Sequence, residues 1–328
     1  MRVHTTSCFF ALFLSSIAFA QSPNLDDVFH DFLIIMDRYN EPAAEASTMQ
    51  TGAGYYTTAK SLKKFEFAVS IGLSGLPFPD KKQSFAITDQ ELLNFDIRDG
   101  EEATIPSALG GEKRVFFDFE IAGDQYEFQA IGGLGTDFFA FPYVQGHLGL
   151  WKETELIIRY GPKITIENSD YALYGAGVKH NLSQYIFKDS RPVEIAFLGN
   201  INWSDFNLRY ERLALEPASG DPPIAVIDGT LIDYYSVNTG LIASKGHGSL
   251  EFSGGLIYTN SWIDYRLTGD EGQFLNIFNQ VLRALSERKT SFKVDLGTAY
   301  NWEKWTLASQ VSISEFVNFN LQGVYKIF

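Results

Sequence analysis

Residues 317–328, VNFNLQGVYKIF, alternate between two kinds of side chain up to the last residue of the chain. One face carries Val317, Phe319, Leu321, Gly323, Tyr325 and Ile327; the other carries Asn318, Asn320, Gln322, Val324, Lys326 and Phe328. Side chains of a β-strand point to opposite faces in turn, so this period indicates a strand between an apolar and a polar environment. Because chain ends usually fray, a strand that continues to the terminus predicts that even its last residues are paired.

The same alternation recurs along most of the chain. It is found at 65–75 (FEFAVSIGLSG), 153–164 (ETELIIRYGPKI), 249–262 (SLEFSGGLIYTNSW), 291–302 (SFKVDLGTAYNW) and 305–313 (WTLASQVSI). These runs are about ten residues long, which is the length of a tilted strand that crosses a bilayer. A secreted β-sandwich also alternates, but its strands are usually about half as long. The pattern predicts an all-β fold, a transmembrane antiparallel β-barrel of about twelve strands, within a range of roughly 10–14.

Residues 1–20, MRVHTTSCFFALFLSSIAFA, have the features of a secretory signal peptide. The start is basic, the middle is apolar, and Ala18 and Ala20 fit a cleavage site of small residues. We expect the mature chain to begin at Gln21. The single cysteine of the sequence, Cys8, lies inside this segment, so the exported protein is expected to have no disulfide.

The charge balance limits the classes of partner. The chain carries 40 acidic and 26 basic residues, which gives a net charge of −14 at pH 7. A nucleic-acid-binding protein needs a basic face, so no nucleic-acid partner is expected. Because no apolar run of about 18 residues follows the signal peptide, the sequence also argues against a helical membrane protein.

An amphipathic helix is predicted directly after the signal peptide, in residues 24–39 (NLDDVFHDFLIIMDRY). Its apolar positions share one face: Leu25, Val28, Phe29, Phe32, Met36 and Tyr39. Residues 40–56 keep no regular period, so we expect them to be irregular.

The connections between the alternating runs differ in length. Short links at 151–154, 244–248 and 301–305 are expected to be periplasmic turns, and the longer segments 77–138, 204–230 and 266–289 to be extracellular loops. The last loop contains a second helical stripe, made by Phe274, Ile277, Phe278, Val281, Leu282 and Leu285. We expect this helix either to pack over its own loop or to dock a ligand.

Polar residues at the inward positions of the predicted strands are the candidates for function. They include both signs of charge: Glu66, Gln145, His147, Arg159, Lys163, Glu251, Lys293, Asp295 and Gln310. In a barrel these side chains would line the lumen. They would either satisfy one another across a filled interior or border a polar path for a solute.

The sequence lacks the spacing of common catalytic and metal motifs. There is no H-E-x-x-H and no G-x-S-x-G, and His147 is the one histidine suited by position to act as a base. Four carboxylates in 88–102 (TDQELLNFDIRDGEE) could surround calcium, but Arg98 stands where another oxygen ligand would be needed. A solvated acidic loop is the other interpretation. We therefore predict no enzyme activity, no cofactor and no bound metal.

Three blocks of the sequence resemble an uncharacterised family of Gram-negative outer-membrane β-barrels. They are 54–67 (GYYTTAKSLKKFEF), 147–164 (HLGLWKETELIIRYGPKI) and 174–203, which includes YGAGVKHNLSQYIF and PVEIAFLGNINW. That family is remotely similar to the superfamily of long-chain fatty-acid transporters. The resemblance implies an outer-membrane location, an N-terminal hatch folded into the lumen, and porin-like uptake of small hydrophobic molecules.

On this basis the chain divides into a signal peptide (1–20), an N-terminal helix and plug (21–60) and a transmembrane barrel (61–328). The expected function is a passive channel or transporter, and the alternative is a surface barrel without transport, adhesin-like or structural. The expected partners are outer-membrane lipid with lipopolysaccharide, a hydrophobic small molecule, and the barrel-assembly machinery, which would recognise the C-terminal strand. Because Phe328 shares the inward parity of Lys326, either it lies beyond the last paired position or a bulge shifts the register.

Overall fold

The computed structural model of the chain describes residues 23–121, 123–166, 169–215, 223, 225–270, 273–283 and 287–328. Its centre is a closed antiparallel β-barrel of ten strands. The all-β prediction is therefore confirmed. The predicted signal peptide, residues 1–20, lies outside the described residues.

The elements follow one another in a simple order along the chain. They are α1 (Pro23–Thr51), β1 (Phe67–Pro77), β2 (Ser84–Thr88), β3 (Asp96–Ile97), β4 (Glu102–Pro106), β5 (Phe116–Ile121), β6 (Asp124–Gln129), β7 (Phe138–Gly149), β8 (Thr154–Ile166), β9 (Ser169–Asn181), α2 (Ser183–Ile186), β10 (Glu194–Leu215), β11 (Ala225–His247), β12 (Leu250–Asp270), α3 (Gln273–Leu282), β13 (Glu287–Trp302), β14 (Trp305–Ile313) and β15 (Val317–Lys326). Strands β1 and β7–β15 form the barrel wall, in which β1 lies between β7 and β15. Outside the wall, β2 pairs with β4, and β5 pairs with β3 and β6.

The number of wall strands is at the lower limit of the predicted range, so the expected number of about twelve was wrong. Two features of the sequence explain the difference. The alternating segments within 78–137 form β2–β6, outside the wall, and the described residues of 204–230, predicted as a loop, belong largely to β10 and β11. The segment 266–289 keeps a helix, α3, as predicted, between the ends of β12 and β13. Strands β10, β11 and β12 are 22, 23 and 21 residues long, so this part of the chain lengthens strands instead of adding new ones.

The two ends of the barrel are built differently. At one end, which we call the turn end, residues 248–249 connect β11 to β12, residues 303–304 connect β13 to β14, and the chain terminates beside the start of β1. The opposite end, which we call the cap end, carries α3 and residues 78–137, and we call the latter segment the cap.

The last strand closes the barrel. Strand β15 pairs with β1 in a continuous register from Ala68 opposite Lys326 to Gly75 opposite Phe319. After β15 ends, the Phe67 amide donates to the Phe328 carbonyl oxygen at 3.1 Å, and the two phenyl rings lie 6.2 Å apart. Phe328 therefore sits beyond the last ladder position, and the bulge offered as the alternative is not needed.

The outer face of the wall is apolar. Strands from all around the barrel expose large side chains there, among them Ile71, Ile158, Leu241, Leu256, Leu296, Leu307 and Leu321. The neighbouring positions of β15, such as Asn318 and Asn320, are buried inside. The two faces of β15 are thus divided as its sequence predicts.

Helix α1 is longer than predicted. It continues through Pro42 to Thr51, whereas the sequence pattern placed irregular structure after residue 39. A proline inside a helix normally costs about 3 kcal/mol, so local preference argued for an end there. The helix persists because residues after the proline, among them Ala43, Ala44 and Met49, are buried in the same apolar cluster as Val28 and Phe32.

The cap and α1 share an apolar interior, which we call the cap core. In it the ring of Phe95 lies 5.8 Å from that of Phe117 and 5.9 Å from that of Phe128, which in turn lies 6.1 Å from Phe32 of α1. A polar contact fixes the same region: the Asp31 carboxylate of α1 accepts backbone N–H bonds of 2.7–2.9 Å from residues 93–95. Helix α1 is therefore an integral part of the cap's fold.

Helix α3 packs on α1 and not on its own loop alone. Phe278 is buried, with its ring 5.3 Å from Phe29 and 4.6 Å from Phe32. Of the other predicted stripe residues, Leu282 is buried and Ile277 and Val281 are half-buried, while the side chain of Phe274 and all of Leu285 lie outside the described residues. Among the helices that the structure describes, none is both long and apolar enough to cross a membrane.

Candidate functional site in the barrel lumen

The lumen is occupied by the stretch that links α1 to β1. Residues 52–62, which we call the plug segment, run from the end of α1 to the turn end of the barrel. They form no helix or strand, so their backbone groups need other hydrogen-bond partners. Inward side chains of the wall supply those partners.

Arg159 of β8 holds the start of the plug segment. Its guanidinium donates to the carbonyl oxygens of Thr51 at 3.1 Å and Ala53 at 2.6 Å. It also lies between two aromatic rings, 3.9 Å from the centroid of Tyr55 and 4.3 Å from that of Tyr143. A buried cation needs such compensation, and the cation–π contacts and carbonyl dipoles provide it.

Gly54 is gripped from two sides of the lumen. Its N–H donates to Gln310 of β14 at 2.9 Å, and its carbonyl oxygen accepts from Gln145 of β7 at 2.8 Å. The residue has φ +71°, and a Cβ added there would lie 2.3 Å from the hydroxyl oxygen of Tyr143. Both the backbone conformation and the space therefore require glycine at this point.

A buried ion pair lies next to the first residue of the plug segment. Lys293 of β13 donates to the Gly52 carbonyl oxygen at 2.7 Å and lies 3.3 Å from Asp295 on the same strand. Both side chains are almost fully buried. The pair is thus part of the seat of the plug and not a free charge in an open pore.

Glu155 of β8 binds the last residue of the plug segment. Its carboxylate accepts the Leu62 N–H at 3.1 Å and pairs with Lys179 of β9 at 3.1 Å. His147 lies on its other side, with Nδ1 3.0 Å from Glu155 and Nε2 3.1 Å from the hydroxyl of Ser70.

The contacts from Ser70 to His147 and from His147 to Glu155 follow the order of contacts in a hydrolase triad. The surroundings of the three residues differ from those of a catalytic triad. The Ser70 hydroxyl is buried and accepts a hydrogen bond of 2.7 Å from Gln322. The charge of Glu155 is already compensated by Lys179 and not available for an imidazolium alone. In this geometry the three residues act as a polar brace between β1, β7 and β8.

Glu251 of β12 binds the middle of the plug segment. It accepts hydrogen bonds from Thr58 and, at 2.7 Å, from Ser244, and it pairs with Lys60 at 3.3 Å. The Ser244 hydroxyl also accepts the Ala59 N–H at 3.0 Å. These contacts are polar, and together with the preceding ones they fasten the plug segment to six wall strands, β7, β8 and β11–β14.

The structure buries most of the predicted lumen residues in this network. Those buried inside the barrel are Gln145, His147, Arg159, Glu251, Lys293, Asp295 and Gln310. Glu66 precedes β1, is half-buried at the turn end, and accepts the Lys63 N–H at 2.9 Å. Lys163 differs from the prediction: it is exposed and pairs with Asp170, because the register of β8 shifts between Gly161 and Ile164 and reverses the facing of later residues.

Several residues of the network were not predicted. Lys179 lies at an inward position of β9, where the alternation of 171–182 is less regular. Tyr55, whose hydroxyl bonds Asn202, belongs to the plug segment, which carries no strand period. A count of inward parity could have found Lys179 and Asn202, but nothing local marks Tyr55.

Two cavities flank the plug segment. One of about 510 Å³ opens at the cap end, between α1 and β13, and Lys293 reaches it. The other, of about 450 Å³, opens at the turn end and is lined by residues 56–58 and by Glu155 and Glu251. The plug segment and its wall contacts separate the two.

Charged groups outside the lumen tie α1 to the cap. The Arg38 guanidinium of α1 bonds Glu91 and lowers the pKa of that exposed carboxyl to about 2, with help from the Thr88 backbone N–H. Arg98 bonds Asp118 and Glu127 within the cap and lowers the pKa of the Asp118 carboxyl. No group of three or more His, Cys, Asp or Glu side chains in the described ranges is arranged to hold a metal ion.

Comparison with solved structures finds bacterial surface and outer-membrane proteins. The chain is similar to the attachment invasion locus protein Ail of Yersinia pestis (11% identity, 80% of this chain and 98% of the other, TM-score 0.24). It is also similar to the translocator domain of the autotransporter NalP from Neisseria meningitidis (8%, 92% and 99%, TM-score 0.34). A third is the outer-membrane channel DcaP of Acinetobacter baumannii (9%, 82% and 100%, TM-score 0.20). TM-scores this low carry no argument about function.

Comparison with protein families is more specific. No curated protein matches the sequence. The solved structures named above are not described as fatty-acid transporters, so that part of the predicted resemblance stays a prediction. One family model, described as a family of unknown function (DUF6588), matches residues 1–327, and the chain therefore belongs to this family.

Proposed function

We propose that the protein is an integral β-barrel of the outer membrane of a Gram-negative cell. Support comes from the outer face of the wall, where residues such as Ile71, Leu256 and Leu321 are about half exposed or more. In water this continuous apolar surface would far exceed what monomeric soluble proteins expose. Trp262, Trp302 and similar aromatic residues near the edges of this surface fit the girdles of membrane barrels.

In the proposed membrane orientation the cap end faces the outside of the cell and the turn end faces the periplasm. Membrane barrels of bacteria have short periplasmic turns and long extracellular connections, and the links 248–249 and 303–304 fit the first description. Lipopolysaccharide and outer-membrane lipid are then the partners of the wall, and β15 is the strand offered to the barrel-assembly machinery.

The protein is, in our proposal, a passive channel that is closed at rest by the plug segment. The observation that carries this is the separation of two cavities by residues 52–62, which are held mainly by hydrogen bonds and ion pairs with wall side chains, beside one small apolar cluster around Tyr55, Tyr56 and Ala59. A hydrogen bond between protein groups contributes only about 0.5–1.5 kcal/mol net, because water can replace either partner. The plug segment can therefore leave its seat and be replaced by water at moderate cost.

A disulfide lock tests the movement of the plug segment. The hydroxyl oxygens of Thr58 and Ser244 lie 3.2 Å apart, so the double variant Thr58→Cys/Ser244→Cys is suited to form a disulfide across the contact. Single-channel recording in planar bilayers should show rare openings of the reduced double variant and none after oxidation. Each single cysteine variant serves as the control. Equal conductance of the oxidised and reduced forms would reject the moving plug.

A second candidate is a surface barrel that binds a partner and transports nothing. The observation that favours it is the cap, which has its own two sheets and an aromatic core above the lumen. This candidate is preferred if the reduced double-cysteine variant never conducts and if cells lose adhesion when the gene is deleted.

A further inference from the structure

Polar side chains of β13–β15 form two adjacent rows that face the plug segment. Asp295, Ser312 and Asn318 stand directly opposite one another in the first row. Gln310 and Asn320 stand opposite each other in the second. All five are buried, and we call these two rows the seam.

Part of the hydrogen-bonding capacity of the seam is unused. Within the described part of the chain, the Ser312 hydroxyl, the Asn318 side-chain oxygen and the Asn320 side-chain nitrogen have no hydrogen-bond partner. The Tyr56 hydroxyl lies beside Asp295 and Gln310 without a hydrogen bond of normal geometry. A buried polar group left unpaired is unfavourable, so the seam is suited to hold molecules that offer hydrogen bonds.

The opposite side of the lumen is different. On β10–β12 the side-chain oxygen of Asn200 accepts from Asn202 at 2.9 Å and from Asn238 at 2.8 Å, and Asn238 in turn accepts from Thr259. Asn202 also bonds Ser236 at 3.2 Å. The side-chain nitrogen of Asn200 is the unpaired atom of this cluster among the described residues. The hydrogen-bonding groups of these side chains are thus largely paired with one another. Fewer of them are left to bind a passing solute.

The seam lies between the two cavities. Lys293, which reaches the cap-end cavity, is followed on the inward face of β13 by Asp295. A void of about 10 Å³ lies against Tyr56, Gln310 and Asn320, and Tyr56 also lines the turn-end cavity. That volume is close to the minimum that one water molecule needs. The seam therefore lies beside the plug segment between the two cavities, where a polar route past that segment would run.

The charges along this route balance. The cap-end cavity is lined by three acidic and three basic side chains: Glu41, Glu45, Glu315, Arg288, Lys289 and Lys293. The turn-end cavity has four of each sign, His147 aside. Asp295, the carboxylate of the seam, is paired with Lys293. The charges that line the two cavities therefore cancel, whereas hydroxyl and amide groups are plentiful along the seam.

From these observations we infer that small uncharged solutes rich in hydroxyl or amide groups, of the size of glycerol, cross the lumen along the seam. The inference rests on the proposed channel function and names its route and solute class. It departs from the hydrophobic solute implied by the sequence resemblance, because the seam offers a hydrophobic molecule only unpaired polar atoms.

Thiol labelling tests whether the seam is accessible. Asn320 and Asn202 are matched, because each is a buried asparagine whose side-chain oxygen accepts a tyrosine hydroxyl, from Tyr143 and Tyr55 respectively. The reagent is 2-hydroxyethyl methanethiosulfonate, applied to the folded full-length protein in liposomes. Asn320→Cys should react at least about tenfold faster than Asn202→Cys, whose site must first open locally. Equal rates would overturn the inference.

Solute flux supplies the second measurement. Liposomes that contain Asn320→Ala should swell severalfold faster in glycerol than those with the natural protein, and Asn238→Ala, in the cluster of β10–β12 whose side chains bond wall residues, should leave the rate unchanged. A gel-mobility shift on heating confirms that both variants are folded. No increase for Asn320→Ala, or an equal increase for both, rejects the seam. If the Thr58–Ser244 disulfide abolishes conductance but the seam variants do not change the flux, the moving plug is supported and the proposed route is rejected. If the disulfide leaves conductance unchanged but Asn320→Ala raises the flux, the moving plug alone is rejected.

Discussion

Helix α1 and the plug segment that follows it are held by different kinds of contact. The first part of α1 is buried in the cap core, where Phe32 contacts Phe128 and Phe278. The plug segment that follows is held mainly by charged and amide side chains such as Arg159 and Gln145, with a smaller apolar cluster around Tyr55 and Tyr56. Apolar burial is non-directional and is lost as soon as water enters, whereas a polar seat can exchange its partners for water. The difference teaches that one continuous segment can be fixed at one end and releasable at the other.

The largest expected effect is in the cap core. Phe117 is fully buried there, and Phe117→Ala should reduce the free energy of unfolding of the cap by about 3–5 kcal/mol, through lost burial and a cavity. Limited proteolysis over a urea series measures it. The control is Phe292→Ala on the outer face, where the ring is 64% exposed. A cap as resistant as that of the natural protein would show that the cap core does not anchor α1.

A smaller effect is expected in the plug seat. Arg159→Leu removes a hydrogen bond from a charged donor to Ala53 of the plug segment and another to Thr51 at the end of α1, so the plug segment should lose about 2–3 kcal/mol of its attachment while the rest of α1 stays in place. Single-channel recording should show more frequent openings, and protease resistance of the cap should be unchanged. Arg266→Leu, at an exposed position of β12, is the control. If the cap became protease-sensitive as well, α1 and the plug segment would not be independent.

The smallest effect is a pH dependence of the contact between α1 and the cap. The pKa of Glu91 is lowered from 4.5 to about 2 by Arg38, so this contact contributes stability that is fully present above about pH 4.5 and is lost as pH falls toward 2. Glu91→Gln should remove this part of the acid dependence in proteolysis of the cap between those pH values. A natural protein with no change in that window would contradict the assignment.

The sequence predicted the wall better than the interior. In β15 the alternation of Leu321 and Gln322 is sufficient, because a strand between lipid-like and polar surroundings has only two faces. The same rule failed at Lys163, since a register shift reverses parity there; the pair Gly161-Pro162 at the shift is the local signal that could have indicated a bulge. The predicted end of α1 near Pro42 also failed, because tertiary burial outweighed local preference.

The seat of the plug was predicted only in part. Inward parity found Arg159 and Lys293, but their partners are backbone carbonyl oxygens of residues 51–53, which no side-chain pattern encodes. Gly54 is required by its positive φ and by the hydroxyl of Tyr143, a contact between residues far apart in the chain. Contacts of this kind depend on how an irregular segment threads the lumen, and periodicity carries no information on that path.

The path of the N-terminal segment also constrains the order in which the barrel is built. Helix α1 begins under the cap, the plug segment descends to the turn end, and β1 starts there and pairs with β15. The cap lies between β1 and β7 in the sequence and packs against α1. Once the cap has folded, the helix therefore cannot enter the lumen from the cap end. We therefore expect α1 to be in place before β1 meets β15. Closing this barrel and filling it would then be one step of assembly.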